Sequence, residues 1–286
     1  MKQKPNQNFS RYSKNYHKLA KIQHLVAKKL IEFANPFLQE KFAKNSNNLL
    51  NITDLGCGTG FVKQEFFNIF YNNITANFYE VDLSLEMLKS NANYELSNNL
   101  STKINADIKK LPFKNNSFDV IFSSFALQWL EQYEVIFDNF AKILKNHKNF
   151  QEGGLFIVAL PTAGSLQELK LANVASDCNF DFLNFPEKHN ILLNLEKAGF
   201  KPLFDCEQII DQNFSSGTEA LKSIKDIGAN YANAGNIINK NKLKKFNQLL
   251  YENFSYQEVS KLREIKVSWH INYFIATKKN SQHYKF

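Results

Sequence analysis

The segment Leu49-Leu50-Asn51-Ile52-Thr53-Asp54-Leu55-Gly56-Cys57-Gly58-Thr59-Gly60 joins an apolar strand, with an acid near its end, to a turn that has glycine at three alternate positions. Glycine lets the backbone adopt positive φ and approach a ligand closely. A dinucleotide-binding turn has its third glycine three residues after the second, and a Walker loop ends in Gly-Lys followed by Ser or Thr. Neither pattern is met, because Phe61 and Val62 follow Gly60 directly. The segment therefore predicts a strand, a ligand-binding turn and a helix, and it excludes these two nucleotide sites.

The remaining interpretation of this turn is a site for S-adenosylmethionine. In that interpretation Gly56, Cys57, Gly58 and Gly60 bring the backbone against the cofactor. Asp54, at the carboxyl end of its strand, is expected to receive the ammonium group of the methionine moiety.

Two further acids end the next two predicted strands. Asp82 is expected to accept hydrogen bonds from both ribose hydroxyls, and the alternative is that it caps the following helix. Asp107 is expected to receive the adenine amino group while the amide of Ile108 faces the ring; the alternative is a loop aspartate without a role. Leu83 and Met87 are expected to pack against the adenine, although Met87 fits an ordinary core position equally well.

Strands and helices alternate after the glycine turn. A continuous apolar run begins at Phe118 and is typical of a central parallel strand buried on both faces; Ser123, near its end, is assigned to the cofactor site. The last strand, 264–277, has apolar residues at period two, which indicates an antiparallel edge strand. The predicted class is α/β, a Rossmann-like doubly wound sheet that is mostly parallel with an antiparallel last strand.

Helical segments precede and interrupt this pattern. Apolar residues at helical spacing between Ser13 and Phe42 predict two N-terminal helices with a break at Asn35-Pro36. Helices between Ser215 and Leu262 are expected to lie above the sheet as a cap. The predicted division is cap helices at 1–46, a cofactor-binding core at 47–213, a helical insertion at 214–262, and a closing strand with a tail at 263–286.

Composition narrows the class of protein. A length of 286 residues suits one domain with a cap, and no run of about 18 apolar residues predicts a membrane span. The three cysteines are odd in number and widely spaced, which predicts neither a disulfide framework nor a metal site. The lysines behind the net charge of +8 are scattered, as on a solvated surface. A reduced, cytoplasmic protein is expected.

A nucleic-acid substrate is not expected. An enzyme that methylates amino groups of DNA bases would carry Asn-Pro-Pro-Tyr after the fourth strand. That position holds Ser123-Ser124-Phe125-Ala126.

The order of these motifs is the pattern of class I S-adenosylmethionine-dependent methyltransferases. From about residue 9 to residue 277 the chain further resembles the malonyl-acyl-carrier-protein O-methyltransferases of biotin synthesis. The segments that carry this resemblance are Phe9-Ser10-Arg11, Val81-Asp82-Leu83-Ser84, Leu111-Pro112-Phe113, Ala126-Leu127-Gln128-Trp129, Gly164-Ser165-Leu166-Gln167-Glu168-Leu169, Ala198-Gly199-Phe200 and Leu221-Lys222-Ser223-Ile224-Lys225-Asp226-Ile227-Gly228-Ala229-Asn230.

The resemblance implies methyl transfer from S-adenosylmethionine to the free carboxylate of a malonyl thioester, with S-adenosylhomocysteine as product and no metal. The carboxylic acid titrates at about 4, so the nucleophile is ionised at neutral pH and no general base is needed. Neutral donors, namely Tyr16, Gln128 and Trp129, are expected to orient the carboxylate without reducing its nucleophilicity. For Tyr16 and Trp129, the alternative is packing between cap and sheet.

The implied partner is malonyl-acyl carrier protein or malonyl-coenzyme A, with no membrane, and a monomer is expected. Acyl carrier proteins present an acidic helix, so Lys222 and Lys225 are the expected docking surface. Two alternatives stay open: a methyltransferase for another small molecule, such as a quinone precursor or free carboxylic acid, and a catalytically silent cofactor-binding scaffold.

Overall fold

A computed structural model describes residues 5–44, 49–70, 74–91, 100–146, 153–229, 239–256 and 263–278. The helices in these ranges are α1 (Pro5–Leu19), α2 (Lys21–Lys44), α3 (Phe61–Phe70), α4 (Leu85–Ser90), α5 (Tyr133–Ile143), α6 (Gln167–Ser176), α7 (Lys188–Lys197), α8 (Gly217–Asp226) and α9 (Lys240–Phe254). The strands are β1 (Leu50–Leu55), β2 (Ala76–Asp82), β3 (Leu100–Asn105), β4 (Val120–Ser124), β5 (Leu155–Pro161), β6 (Phe200–Phe214), β7 (Ser255–Tyr256) and β8 (Glu264–Lys278).

The strands form one sheet in the order β3-β2-β1-β4-β5-β8-β6, and β7 pairs with β8. Strands β1 to β5 are parallel, whereas β8 pairs antiparallel with both β5 and β6. The order reverses between β1 and β4, which is the topological switch point where open α/β sheets bind ligands. The predicted α/β class with an antiparallel last strand is confirmed.

The prediction that the last strand lies at the sheet edge is wrong. Strand β8 lies between β5 and β6, and 11 of its 15 residues are buried. The edge is β6, a 15-residue strand in which inward residues alternate with exposed ones. Its inward face includes polar side chains such as Gln208 and Gln212, so its apolar alternation is weak.

The predicted helix break at Asn35-Pro36 is also wrong. Pro36 lies inside α2, and the chain breaks instead at Ala20, between α1 and α2. A proline inside a helix costs a backbone hydrogen bond, but α2 is held by its buried face, where Leu30, Ala34 and Leu38 are fully enclosed. Tertiary packing therefore overrides the local preference.

Two apolar clusters cover the two faces of the sheet. One face packs against α2, α3, α6, α8 and α9, and the other against α5 and α7. Helix α1 crosses the carboxyl ends of the strands and contacts α4 and α8. The ligand-binding end of the sheet therefore lies under α1.

Parts of the predicted division lie outside the described residues: the linker at 45–48, and positions 230–238, which include Asn230. The division itself stays a prediction. No helix within the described ranges has an apolar stretch long enough to cross a membrane.

A buried ion pair joins α3 to β2. The ammonium of Lys63 lies 2.6 Å from the carboxylate of Glu80, and neither side chain is exposed. Ser101 and Asn91 donate further hydrogen bonds to the same carboxylate. The pair fixes the helix that follows the glycine turn against the strand that carries Asp82.

We expect Lys63→Met to lower the free energy of unfolding by about 3–5 kcal/mol, because it leaves the Glu80 carboxylate buried without its cation. Urea denaturation measures the change. The matched control is Lys89→Met, which breaks an exposed pair with Glu86 and should cost less than about 1 kcal/mol. Equal losses for the two variants would contradict the stabilising role assigned to the Lys63–Glu80 pair.

Candidate functional site

Two positions of the turn require glycine because residues from other elements pack directly against them. Gly56 has φ of +80°, and a Cβ there would lie 2.2 Å from the Cβ of Ala126. Gly60 has φ of +88°, and a Cβ there would lie 2.5 Å from Oδ1 of Asn91. The turn is thus pressed against the end of β4 on one side and the end of α4 on the other, and any side chain would push it away.

Gly58 faces a cavity instead. A Cβ there would meet only the ring of Tyr16, 4.0 Å away. The amide of Gly58 donates to Oδ2 of Asp82 at 2.9 Å, and the amide of Ser84 donates to Oδ1 at 2.7 Å. Burial raises the pKa of Asp82, and these two hydrogen bonds oppose that shift. The capping alternative for Asp82 fails, because the N-cap of α4 is Ser84, which accepts from the amide of Met87.

Asp54 is a buried carboxylate without a partner. Its exposed fraction is 1%, and neither carboxylate oxygen accepts a hydrogen bond from any described residue. Burial, and then the charges of Glu80 and Asp82, raise its pKa well above the usual range, while Lys63 acts in the opposite direction. An unpaired buried carboxylate is costly, so this position suits a ligand that brings a cation.

The carboxylate of Asp54 borders a small cavity that is continuous with a larger one. The larger cavity, of about 690 Å³ including its open mouth, is lined by most of the predicted cofactor residues. Gly56, Gly58, Tyr16 and Phe125 line both cavities. The other lining residues predicted from the sequence are Asp82, Leu83, Met87, Asp107, Ile108 and Trp129 in the larger cavity and Asp54 and Cys57 in the smaller one.

The larger cavity is mostly apolar at its far end. Met87 is buried, whereas Leu83 is exposed at the mouth. The carboxylate of Asp107 accepts the amide of Lys109 at 2.9 Å and so caps a short 3-10 turn that contains Ile108. A flat apolar group with a polar edge fits between these residues. Together with Asp54, the two cavities fit an elongated ligand that has an ammonium at one end and an adenine at the other.

Aromatic side chains cover the point where the cavities meet. The ring of Phe9 lies edge-on to Trp129, with centroids 5.4 Å apart, and to Tyr16 at 6.3 Å. Burial and the charge of Asp82 raise the pKa of Tyr16, so its hydroxyl stays a neutral donor at physiological pH. Helix α1 thus forms a lid whose cavity-lining side chains are the apolar ring of Phe9 and the phenol of Tyr16.

Three residues predicted for the cofactor or the acceptor line neither cavity, namely Gly60, Ser123 and Gln128. The hydroxyl of Ser123 donates to the carbonyl of Leu55 at 2.8 Å and links β4 to β1. Nε2 of Gln128 donates to the carbonyl of Phe125 at 2.7 Å, and its buried Oε1 has no partner among the described residues. Gln128 borders a separate surface groove between α5 and α7.

Sequence reasoning missed Phe9, Ser124 and Phe125. Phe125 has φ of +53°, a conformation that few residues other than glycine adopt, and it directly follows β4. Ser124 lines the cavity of Asp54, and its hydroxyl has no hydrogen-bond partner among the described residues. Their position after a central strand at the switch point was the available signal. Within the described ranges no group of three or more His, Cys, Asp or Glu side chains could hold a metal ion.

Comparisons with known proteins find methyltransferases. A family model described as "Methyltransferase domain" matches residues 53–150. The chain is 30% identical, over 232 residues, to Malonyl-[acyl-carrier protein] O-methyltransferase 2 of Ilyobacter polytropus, covering 81% of this chain and 82% of that protein. It is 27% identical, over 234 residues, to the Biotin biosynthesis bifunctional protein BioHC of Saccharophagus degradans, covering 79% of this chain and 38% of that protein.

The fold is also found among solved structures. A candidate methyltransferase from Bacillus halodurans C-125 superposes with a TM-score of 0.56 at 14% identity, covering 84% of this chain and 98% of that chain. At this identity the likeness supports the α/β fold alone.

We expect Asp54→Asn to weaken the binding of S-adenosylhomocysteine at least about tenfold, because a charged hydrogen-bonded pair contributes about 1.5–3 kcal/mol. Ammonium binding requires the ionised carboxylate, whose pKa is raised in the free protein. The affinity of the unsubstituted protein should therefore fall as pH drops through that raised pKa, and Asn should remove this dependence. Calorimetric titration across pH measures both effects.

The same substitution should stabilise the ligand-free protein at neutral pH. The pKa of Asp54 is higher in the folded protein than in the unfolded chain, so the folded state loses stability as pH rises from the unfolded pKa to the folded one. An asparagine at this position does not ionise and so does not lose this stability. Thermal unfolding measures the gain. Asp181→Asn, at an exposed position, is the control and should change neither affinity nor stability. Unaltered ligand affinity in Asp54→Asn would exclude the ammonium role.

Proposed function

The chain belongs to the malonyl-[acyl-carrier protein] O-methyltransferase family, and from this we propose that it methylates the free carboxylate of a malonyl thioester carried by acyl carrier protein. It is an S-adenosylmethionine-dependent methyltransferase of biotin synthesis. The observation that supports the cofactor part of the proposal is the unpaired Asp54 carboxylate, which lines the smaller cavity, while Asp82 and Asp107 line the larger one. This costly arrangement favours a protein that binds a cationic ligand at Asp54, and methyl-transfer activity distinguishes an enzyme from a catalytically silent cofactor-binding scaffold.

The proposed contacts with the cofactor come from the residues that line the two cavities. Asp54 binds the ammonium group, Asp82 accepts the ribose hydroxyls through its remaining lone pairs, and Asp107 receives the adenine amino group. Leu83 and Met87 pack against the adenine. The bound cofactor supplies an electrophilic methyl group.

The acceptor is expected where the two cavities meet. A malonyl carboxylate is already ionised at neutral pH, since it titrates at about 4, so the protein has no proton to remove. The neutral hydroxyl of Tyr16 orients the carboxylate without forming an ion pair that would reduce its nucleophilicity. Phe9 and Trp129 keep water away. Gln128 fixes the turn at Phe125 through its hydrogen bond to that carbonyl.

A direct assay tests the reaction. We expect the protein to transfer one methyl group from S-adenosylmethionine to malonyl-acyl carrier protein and none to acetyl-acyl carrier protein, because the acetyl group has no free carboxylate. Mass spectrometry of the intact carrier reads the added methyl group. Methylation of neither carrier, by a protein that binds S-adenosylhomocysteine, would reject the malonyl acceptor and leave another small molecule as substrate.

The proposed docking surface for the carrier is the exposed side of α8. Lys222 and Lys225 are three residues apart and both exposed, so they share one side of the helix. The inner side of α8 reaches the lid, since Gly228, just after the helix, contacts Phe9. An acidic helix on this surface would therefore lie next to the covered end of the site.

We expect Lys222→Glu/Lys225→Glu to raise the KM for malonyl-acyl carrier protein about tenfold or more at low salt and to leave the KM for malonyl-coenzyme A within about twofold. Steady-state kinetics with both substrates measure this. The control Lys21→Glu/Lys28→Glu reverses two exposed charges on α2 and should affect neither substrate. Equal losses on both substrates would assign Lys222 and Lys225 to folding or catalysis instead of docking.

A further inference from the structure

The outer side of the lid helix α1 carries a row of positive charge. Arg11, Lys14 and Lys18 are spaced three and four residues apart, so they lie on one side of the helix, and all three are exposed. Phe9 and Tyr16, which line the cofactor cavities, lie about half a turn around the helix axis from this α1 row. The helix therefore presents neutral side chains to the site and cations to solvent.

The α1 row has no acid to balance it. Helix α1 contains neither Asp nor Glu, and no cation of the row forms an ion pair with a carboxylate of any described residue. The guanidinium of Arg11 lies 5.9 Å from the ring centroid of Tyr12 on the same helix. Lysines on other helices pair with an acid three or four residues away, namely Lys29 with Glu32, Lys44 with Glu40, Lys89 with Glu86 and Lys142 with Asp138. Because like charges at this spacing repel, the α1 row favours an anionic partner that lies along it.

Helix α8 lies beside this row. Helices α1 and α8 contact each other, and Gly228, just after α8, lies against the backbone of Phe9. Lys222 and Lys225 are exposed on α8. The axes of packed helices lie about 8–10 Å apart, which is about one Debye length at physiological salt. Cations on both helices therefore act on the same docked partner.

The spacing of the α1 row suits a partner helix. From Arg11 to Lys18 the row extends about 10 Å along the helix axis, which is two turns. An acidic helix that lies along α1 can place a carboxylate opposite each cation, whereas a single phosphate can contact only part of the row. The proposed substrate is attached to a carrier protein that presents such an acidic helix.

We propose that the α1 row is a second contact surface for the acidic helix of acyl carrier protein, so that the carrier touches the lid itself. This inference rests on the proposed function and adds Arg11, Lys14 and Lys18 to the surface proposed on α8. Because Phe9 and Tyr16 lie on the opposite side of the same helix, a carrier bound here holds these two side chains over the site.

The test compares Lys14→Gln/Lys18→Gln with a control, Lys28→Gln/Lys114→Gln, which also removes two exposed positive charges but from neither α1 nor α8. Glutamine keeps a similar helix propensity. We expect the α1 variant to raise the KM for malonyl-acyl carrier protein at least about fivefold at low salt. The kcat, the KM for malonyl-coenzyme A and the affinity for S-adenosylhomocysteine should stay within about twofold. The control should behave like the unsubstituted protein.

A binding measurement separates the carrier surface from the substrate arm. Acyl carrier protein without its phosphopantetheine arm is labelled with a fluorophore and titrated with each variant, and anisotropy reports binding. We expect this carrier to bind the unsubstituted protein with an affinity that falls as salt increases. The α1 variant should bind it at least about fivefold more weakly, and the control should not.

The other outcomes overturn the inference in distinguishable ways. Equal rises in KM for the two thioesters would assign the α1 row to a phosphate that both substrates carry, or to support of the lid if the affinity for S-adenosylhomocysteine falls as well. If the α1 variant matches the control on the carrier substrate and in anisotropy, the carrier docks elsewhere and the proposed function stands. An unsubstituted protein that methylates neither thioester would overturn the proposed function, and this inference with it.

Discussion

The cofactor site depends on an imbalance of buried charge. Asp54 on β1 pairs in register with Glu80 on β2, and Asp82 follows two residues later on the same side of β2. Lys63 forms its ion pair with Glu80, and Asn91 and Ser101 complete the hydrogen bonds of that carboxylate. Asp82 is held by two backbone amides. Asp54 is left as the carboxylate without a partner among the described residues.

This arrangement links binding energy to stability. A folded protein tolerates an unpaired buried carboxylate only at a cost, and the same burial and neighbouring acids raise the pKa of Asp54. A cation that enters beside Asp54 removes the cost, so part of the binding energy of the ligand is the relief of a strain that folding created. Lys63 does not neutralise Asp54 in this way, because its ammonium is already paired with Glu80 on β2. The turn at Gly56 and Gly60 cannot move to admit another partner either, since Ala126 and Asn91 press against it.

The sequence predicted those parts of the molecule that depend on local pattern. The glycine turn and the acids that end β1 and β2 could be identified because spacing and strand position determine them. The break at Pro36 and the edge position of β8 could not, because both depend on packing between segments far apart in the chain. Ser123 and Ser124 show the limit most clearly: adjacent residues on a strand point to opposite faces, and the sequence does not tell which face borders the cavity. Phe9 was missed because only the tertiary structure brings α1 to the site.

The neutral character of the lid explains how one site can serve an anionic acceptor beside three acids. A carboxylate that approaches Asp54 and Asp82 is repelled, and a lysine in the lid would attract it but would also hold it in an ion pair. Tyr16 avoids both problems, because burial and the charge of Asp82 keep its hydroxyl protonated while it remains a hydrogen-bond donor. In the proposed arrangement the positive charges that attract the carrier lie instead on the exposed side of α8. The carrier would then supply binding energy away from the reacting carboxylate, which would keep its nucleophilicity.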